Sequence, residues 1–278
     1  MTIYERKNEL GGIFVHGIPD FRLNLEVAKK TIDNILELGI KVEYNCELGK
    51  DIELENICEK YDAVFLGIGA NKACKMNIAG EELDGVYGGN GLLEYKNFPD
   101  IEGKNVSIIG GGNVAMDCAR TIKRLGAKEV KVIYRRAREQ MPAEEKEIDE
   151  AIKEGIKFLY QHNIVKIIGN EKVEKVELIK TELVQKDGET RLVPVNIENS
   201  NYEIQMDYVI MALGSETEEV VKKLGLNLNK WGTILIDENY QTSNKKIFAG
   251  GDLAGIKGTV AWASNSGREA AKKIIEMV

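Results

Sequence analysis

The chain has 278 residues, 43% hydrophobic and 30% charged, a composition that suits a globular protein of about two domains. Its formal net charge of −7 argues against nucleic acid or an anionic membrane surface as partner. No apolar run approaches a membrane span, and the charged opening MTIYERKNEL lacks a secretory core, so a cytoplasmic protein is expected.

The first residues, TIYE, read as a strand, and a loop bearing Gly11, Gly12, Gly17 and Pro19 follows. Apolar residues at Val27, Ile32, Ile35 and Leu38 predict a helix from about Leu25 to Leu38, ended by Gly39. IKVEYN reads as a strand, and DAVFLGIG (62–69) as a buried strand ending in glycine. Gly88 to Gly91 reads as a hinge into a second unit that starts near Gly103.

That unit opens on the most informative stretch, VSIIGGGNVAMDCAR (106–120). A β-rich run meets Gly110, Gly111 and Gly112, and an amphipathic helix follows. Gly110, Gly112 and Ala115 fit G-x-G-x-x-A, the turn that carries a dinucleotide pyrophosphate between strand and helix. Gly110 permits the tight turn, Gly112 lets the diphosphate approach the backbone, and Ala115 lets the helix pack closely. The helix N-terminus offers free N–H groups and partial positive charge. The alternative is a glycine-rich turn with no ligand. The next strand, KEVKVIYRR, ends at Arg135 and Arg136, where an NAD-binding unit usually has an acidic residue; two guanidiniums there suit the 2′-phosphate of NADP.

A helix over 143–154 and strand IKFLY complete an α/β alternation with a parallel sheet. VEKVELIKTELVQ and ETRLVPV then flank Asp187-Gly188, a hairpin signal. Strands DYVIMALG, TILID and KIFAGGD and a helix from Thr259 to Met277 close the chain.

Outside the elbow, several segments admit two readings. Glu5 at a strand end could bind a ribose or be a surface charge. VFLGIGA (64–70) and VIMALGS (209–215), with Gly69 and Gly214, could bring backbone close to a flat cofactor or end in tight turns. Gly251 and Asp252 in IFAGGDLAG place a carboxylate at a strand tip, able to accept from sugar hydroxyls or to serve a turn. The helix starting at Thr259 and Val260 could face an electron-rich ring edge. The cysteines, Cys46, Cys58, Cys74 and Cys118, are not in C-x-x-C spacing, so no metal site or local redox disulfide is expected. No G-x-S-x-G elbow favours a hydrolase. A dehydrogenase of a small substrate lacks a proton-transfer pair, since His16 and His162 are the two histidines.

Taken in order, Glu5-x6-Gly12, HGIPDFRL (16–23), IIGGGNVAMDCAR, YRRAREQMPA, VIMALG and IFAGGD resemble the small subunit of glutamate synthase. They are also similar to the flavin and NADPH region of dihydropyrimidine dehydrogenase. The resemblance covers nearly the whole chain and implies an α/β fold of two interleaved Rossmann-like domains, as in glutathione reductase. Residues 1–100 and 207–278 would form a split FAD domain around an NADPH domain at 101–206. It implies that Glu5 meets the FAD adenosine ribose, and that Gly12 and Arg22 lie along the flavin nucleotide. Asp252 would hold the ribitol, and Thr259 and Val260 would approach the flavin ring. Gly112, Asn113, Val114, Arg135 and Arg136 would hold NADPH. Hydride would pass to flavin, and electrons would leave singly to an iron–sulfur domain or subunit. Such transfer needs positioning more than acid–base side chains, so no catalytic acid or base is named.

The family's FAD domain starts with its own strand, G-x-G-x-x-G turn and helix, after a cysteine-rich iron–sulfur region. Here Met1 falls at what would be the second strand. The resulting expectations are an unpaired sheet edge, through which a homodimer could form, and weak FAD occupancy. The competing reading is an NADPH-binding module without tight FAD or independent catalysis.

Overall fold

A computed structural model of the chain describes residues 1–186, 191–256 and 258–278. The chain divides into two units. The first comprises Met1–His16, Asp20–Lys72 and Ser215–Val278; the second comprises Gly17–Pro19 and Ala73–Gly214.

The first unit begins with β1 (Thr2–Tyr4), α1 (Gly12–His16) and α2 (Leu25–Leu36). Helix α1 lies in the segment expected to be loop; Val15 is buried, and a Cβ on Gly11 would stand 2.2 Å from its Cγ2. Asn24 starts α2 by accepting the amides of Glu26 at 2.8 Å and Val27 at 3.4 Å. Gly39, at φ +79, lies just beyond its end. β2 (Lys41–Glu43) pairs with β1 in parallel, Ile3 opposite Val42. α3 (Leu54–Lys60) and β3 (Val64–Leu66) follow, and the short strand β4 (Lys72–Ala73) lies at the crossover.

The second unit runs β5 (Val86–Gly88), α4 (Gly89–Tyr95), β6 (Asn105–Ile109), α5 (Asn113–Arg124), β7 (Glu129–Tyr134), α6 (Glu145–Lys153) and β8 (Lys157–Tyr160). It continues with β9 (His162–Ile168), β10 (Lys175–Val184), β11 (Val193–Asn196), β12 (Tyr202–Gln205) and β13 (Tyr208–Met211). The main sheet has the order β5-β13-β6-β7-β8, and all its neighbours are parallel. Its strands are apolar on both faces because both faces are covered. Ile108, Val132 and Ile210 pack with Met116, Ala119 and Ile122 of α5 and Ile148 of α6. Ile109, Ile133 and Val209 pack on the other side with Ile164, Ile167, Val176 and Leu178 of the antiparallel layer. The order reverses between β6 and β13, which opens the ligand crevice of such sheets at their C-terminal ends.

The antiparallel layer includes β9, a strand not expected from the sequence, paired with β10. β10 and β11 pair antiparallel, Val184 opposite Val193, as the hairpin signal implied. The turn at Asp187-Gly188 lies outside the described residues.

β14 (Ser215–Glu216) lies at the return crossover, and β15 (Ile247–Ala249) and α7 (Val260–Met277) complete the first unit. β15 pairs with β3 in parallel, Phe248 opposite Phe65. Leu54 and Ile57 of α3 pack on Val64, Leu66, Ile247 and Ala249. The strand expected at TILID does not form; Ile234 makes an isolated antiparallel bridge with Leu228. Turn chemistry competes there. Asn229 Oδ1 accepts from Trp231 N and Thr233 N, and Asp237 Oδ1 accepts from Asn239 N and Gln241 N.

The observed division also differs from the expected hinge at Gly88–Gly91 and the boundaries at 100/101 and 206/207. Apart from the short stretch Gly17–Pro19, the chain changes unit at 72/73 and 214/215. The cause is pairing: β5 joins β13 in the main sheet, and Gly89 packs so tightly on α5 that a Cβ there would lie 2.8 Å from Cys118 Sγ.

Candidate functional site: a glycine elbow and an arginine-bearing strand tip

The three glycines after β6 do different work. Gly110 has φ +142, and a Cβ there would stand 2.1 Å from the Ala212 carbonyl oxygen beyond β13. Only glycine fits both demands. A Cβ on Gly111 would meet the Tyr134 ring at 2.6 Å. Gly112 is the N-cap of α5, with φ −93 and no side-chain cap; the nearest atom to a Cβ there is Pro142 Cγ at 3.9 Å. Space and uncapped amides therefore meet at Gly112, Asn113 and Val114, while Ala115 is fully buried against the sheet.

The segment after β7 folds back onto this elbow. Ala143 N donates to Gly111 O at 3.1 Å, and Glu144 N donates to Asn113 Oδ1 at 3.0 Å. The Tyr134 hydroxyl donates to Gln140 O at 2.6 Å. Asn113 Oδ1 thus serves the protein's own backbone. Tyr134, whose ring shapes the elbow, is a residue the sequence reading did not single out. Its position as the last residue of β7 was the available signal.

Arg135 is exposed and Arg136 half-buried at the β7 tip, and neither forms an ion pair among the described residues. Arg138 does, with Asp149 at 2.5 Å. Gln161 N donates to Arg136 O at 3.0 Å, and Thr181 Oγ1 donates to Arg135 O at 2.8 Å, so the backbone of both arginines is fixed. Gly214, at φ +108 and exposed, closes the β13 side of the crevice, where its carbonyl accepts from Cys74 N at 3.2 Å. The structure therefore gathers Gly110–Ala115, Arg135, Arg136 and Gly214 at the C-terminal ends of β6, β7 and β13.

In the first unit Glu5, Gly69, Gly251 and Asp252 follow strand C-termini, while Gly12, Arg22, Thr259 and Val260 lie at or between helices. Glu5 follows β1, and its Oε1 accepts from Lys7 N at 2.9 Å. Gly12 opens α1 at φ +49 with nothing within 4 Å of a Cβ, Arg22 is half-buried, and Gly69 follows β3 at φ +72. After β15, Gly251 N donates to the buried Ser266 Oγ at 2.9 Å. Asp252 is half-buried without an ion pair among the described residues, and burial raises its carboxyl above the usual range. Thr259 caps α7, its Oγ1 accepting from Trp262 N at 3.3 Å, and Val260 is exposed in the first turn.

The four cysteines are free thiols. Among the described residues no group of three or more His, Cys, Asp or Glu could hold a metal, and no helix is long and apolar enough to cross a membrane.

Residues 15–270 match the family "Pyridine nucleotide-disulphide oxidoreductase". Over 99% of its length the chain is 37% identical to the putative oxidoreductase AegA of Escherichia coli (strain K12), of which it covers 45%. It is 35% identical to the glutamate synthase [NADPH] small chain of the same organism, covering 99% of this chain and 62% of that protein. The chain thus spans about half to three fifths of the length of these relatives. The structure of Mycobacterium tuberculosis FprA in complex with NADPH shares the fold at 19% identity, with a TM-score of 0.86 over 99% of this chain and 77% of that one.

Proposed function

The chain belongs to the pyridine nucleotide-disulphide oxidoreductase family, and on that premise we propose that it is the electron-input part of a glutamate synthase small chain-like oxidoreductase. It binds NADPH in the second unit and FAD in the first, and passes electrons to an iron–sulfur domain or subunit. The observation that carries this reading is the open, uncapped elbow at Gly112 beside the unpaired Arg135 and Arg136. These residues fit NADPH: the amides of α5 take the diphosphate, and the guanidiniums take the 2′-phosphate.

For FAD the fit rests on carboxylates. Asp252 offers an unpaired acceptor to sugar hydroxyls, and Glu5 keeps one oxygen outside its bond to Lys7 N. In this reading Gly12 and Arg22 would line the nucleotide, the backbone at Gly69 and Gly251 would approach the flavin, and Thr259 and Val260, at the start of α7, would face its ring. NADPH supplies a hydride and FAD accepts it. The protein's part is to orient both and keep water out. No acid–base group is needed, in keeping with the structural setting of His162. Its Nδ1 lies 2.7 Å from Tyr160 O, and its ring packs edge-on to Tyr202.

Four free thiols suit a reducing cytoplasm, which we include in the reading. The reading also includes a homodimer through an unpaired sheet edge of the first unit, to be read by sedimentation velocity.

The test is anaerobic addition of NADPH to the purified chain supplied with FAD. Bleaching of the flavin absorption, faster with NADPH than NADH, is the expected result; no bleaching and no NADPH-driven ferricyanide reduction contradicts the proposal. A narrower reading, NADPH binding without tight FAD, is favoured by the prior engagement of Glu5 with Lys7 N and of Thr259 with Trp262 N. A colourless protein that retains no added flavin yet binds NADPH would select it.

A further inference from the structure

We propose that Gln140 and Tyr160 complete, with Arg136, the pocket that recognises the phosphorylated adenosine ribose. The proposal rests on the NADPH reading above and adds to it one specificity-determining residue, Tyr160, and one ribose-binding residue, Gln140.

Buried polar atoms in folded proteins nearly always find a hydrogen-bond partner. In the second unit, Arg136 Nε, Gln140 Oε1 and Tyr160 OH are buried and have none. The topology brings these three to one corner. Tyr134 stands opposite Tyr160 in the β7–β8 ladder, Gln161 N donates to Arg136 O at 3.0 Å, and the Tyr134 hydroxyl donates to Gln140 O at 2.6 Å. That corner is the C-terminal edge of the sheet, next to the elbow, because the same Tyr134 ring lies against Gly111.

The orphaned atoms are two donors and one acceptor. A ribose with a 2′-phosphate offers acceptor oxygens on the phosphate and a donor on its 3′-hydroxyl, which is the matching set. An unphosphorylated ribose offers these donors a neutral hydroxyl in place of an anion and keeps the 3′-hydroxyl for Gln140, so Arg136 and Tyr160 carry the discrimination. Arg138 is not available for this task, since Asp149 holds it at 2.5 Å. Burial raises the Tyr160 hydroxyl's pKa, so it stays a proton donor at neutral pH.

The experiment uses Tyr160→Phe and Gln140→Met in the full chain. Tyr160→Phe keeps the ring that stacks on Phe158 at 5.4 Å. Gln140→Met keeps the backbone carbonyl that Tyr134 uses. Calorimetric titrations compare NADPH with NADH, and adenosine 2′,5′-bisphosphate with AMP; thermal melts follow the free proteins. Removing an orphaned buried group should leave the melting temperature of the free protein equal or higher. In Tyr160→Phe, Kd for NADPH and the bisphosphate should rise about tenfold, as for loss of a hydrogen bond to a charged group, while Kd for NADH and AMP changes less than twofold. In Gln140→Met, Kd should rise by about the same factor for all four ligands, since each carries the 3′-hydroxyl.

If wild-type chain prefers NADPH and Tyr160→Phe keeps that preference, or Gln140→Met binds all four ligands as wild type does, this pocket is overturned and the NADPH reading stands. If Tyr160→Phe melts lower and loses phosphorylated and unphosphorylated ligands equally, the side chain is structural and the pocket is overturned. If wild-type chain binds neither NADPH nor the bisphosphate, the NADPH reading falls and the pocket with it.

Discussion

A Cβ on Gly110 would stand 2.1 Å from the carbonyl oxygen of Ala212, whereas on Gly112 its nearest neighbour would be Pro142 Cγ at 3.9 Å. Two glycines one residue apart therefore answer to different constraints. Gly110→Ala meets a backbone clash at positive φ and should cost about 2–4 kcal/mol, read as a lower urea midpoint. Gly112→Ala should change stability by no more than about 0.5 kcal/mol. Its methyl group fills the space offered to a diphosphate, so Kd for NADPH should rise at least about tenfold, the equivalent of one lost charge-assisted bond. A Gly112→Ala protein with unchanged NADPH affinity would move the diphosphate elsewhere.

Asn113 separates support from charge. Its Oδ1 accepts from Glu144 N at 3.0 Å. Asn113→Ala should lose about 0.5–1.5 kcal/mol. Asn113→Asp keeps the acceptor and places an anion in the first turn of α5, which favours the helix. Stability should hold, while NADPH affinity falls through repulsion from the phosphates, most at low salt. Equal NADPH binding by Asn113→Asp and wild type at low ionic strength would contradict this arrangement.

An ionic network centred on the buried Arg120 joins α5 to the α6 segment. Arg120 pairs with Glu147 and with Glu154 at 2.8 Å, and Arg124 reaches Glu154 at 2.7 Å. Burial pushes the Glu154 carboxyl up, but the hydrogen bonds from Arg124 and Arg120 outweigh it and hold it below the ordinary value. A depressed carboxyl contributes stability that is full above its unfolded value, about 4.3, and is lost as pH falls through its lower folded value. Chemical denaturation should show stability declining below about pH 4.3. Arg120→Met should cost about 1.5–3 kcal/mol at neutral pH, because two half-buried carboxylates lose a buried guanidinium, and should flatten that acid limb.

Asp252 carries the opposite sign. Burial raises its carboxyl, so the ionised form weighs against the folded state at neutral pH. Asp252→Asn should melt higher than wild type at pH 7, with the gain shrinking as pH falls and the aspartate protonates. FAD retention on a desalting column should drop in the same variant. Unchanged melting and unchanged flavin would remove Asp252 from the flavin site.

The elbow was legible in the sequence because its information is local. The apolar run before Gly110, the G-x-G-x-x-A spacing and the helical period after it sit within fifteen residues. The parallel strands flanking it were legible as apolar runs for the same reason. What failed to read was decided at a distance or by side chains. β5 joins the second unit through pairing with β13, more than a hundred residues on. Asn113 is held by Glu144, and the TILID segment yields to the turns of Asn229 and Asp237. Orphaned atoms such as Tyr160 OH leave no mark on sequence periodicity.

The central claim is that α5 amides and the Arg135–Arg136 pair grip NADPH. The most direct measurement is calorimetric titration of the chain, and of the Arg135→Ala/Arg136→Ala double variant, with NADPH and NADH. The account predicts NADPH binding at least about tenfold tighter than NADH in the wild type, as expected for a charge-assisted contact, and loss of that preference in the variant. No heat with NADPH, or a preference that survives removal of both guanidiniums, would contradict it.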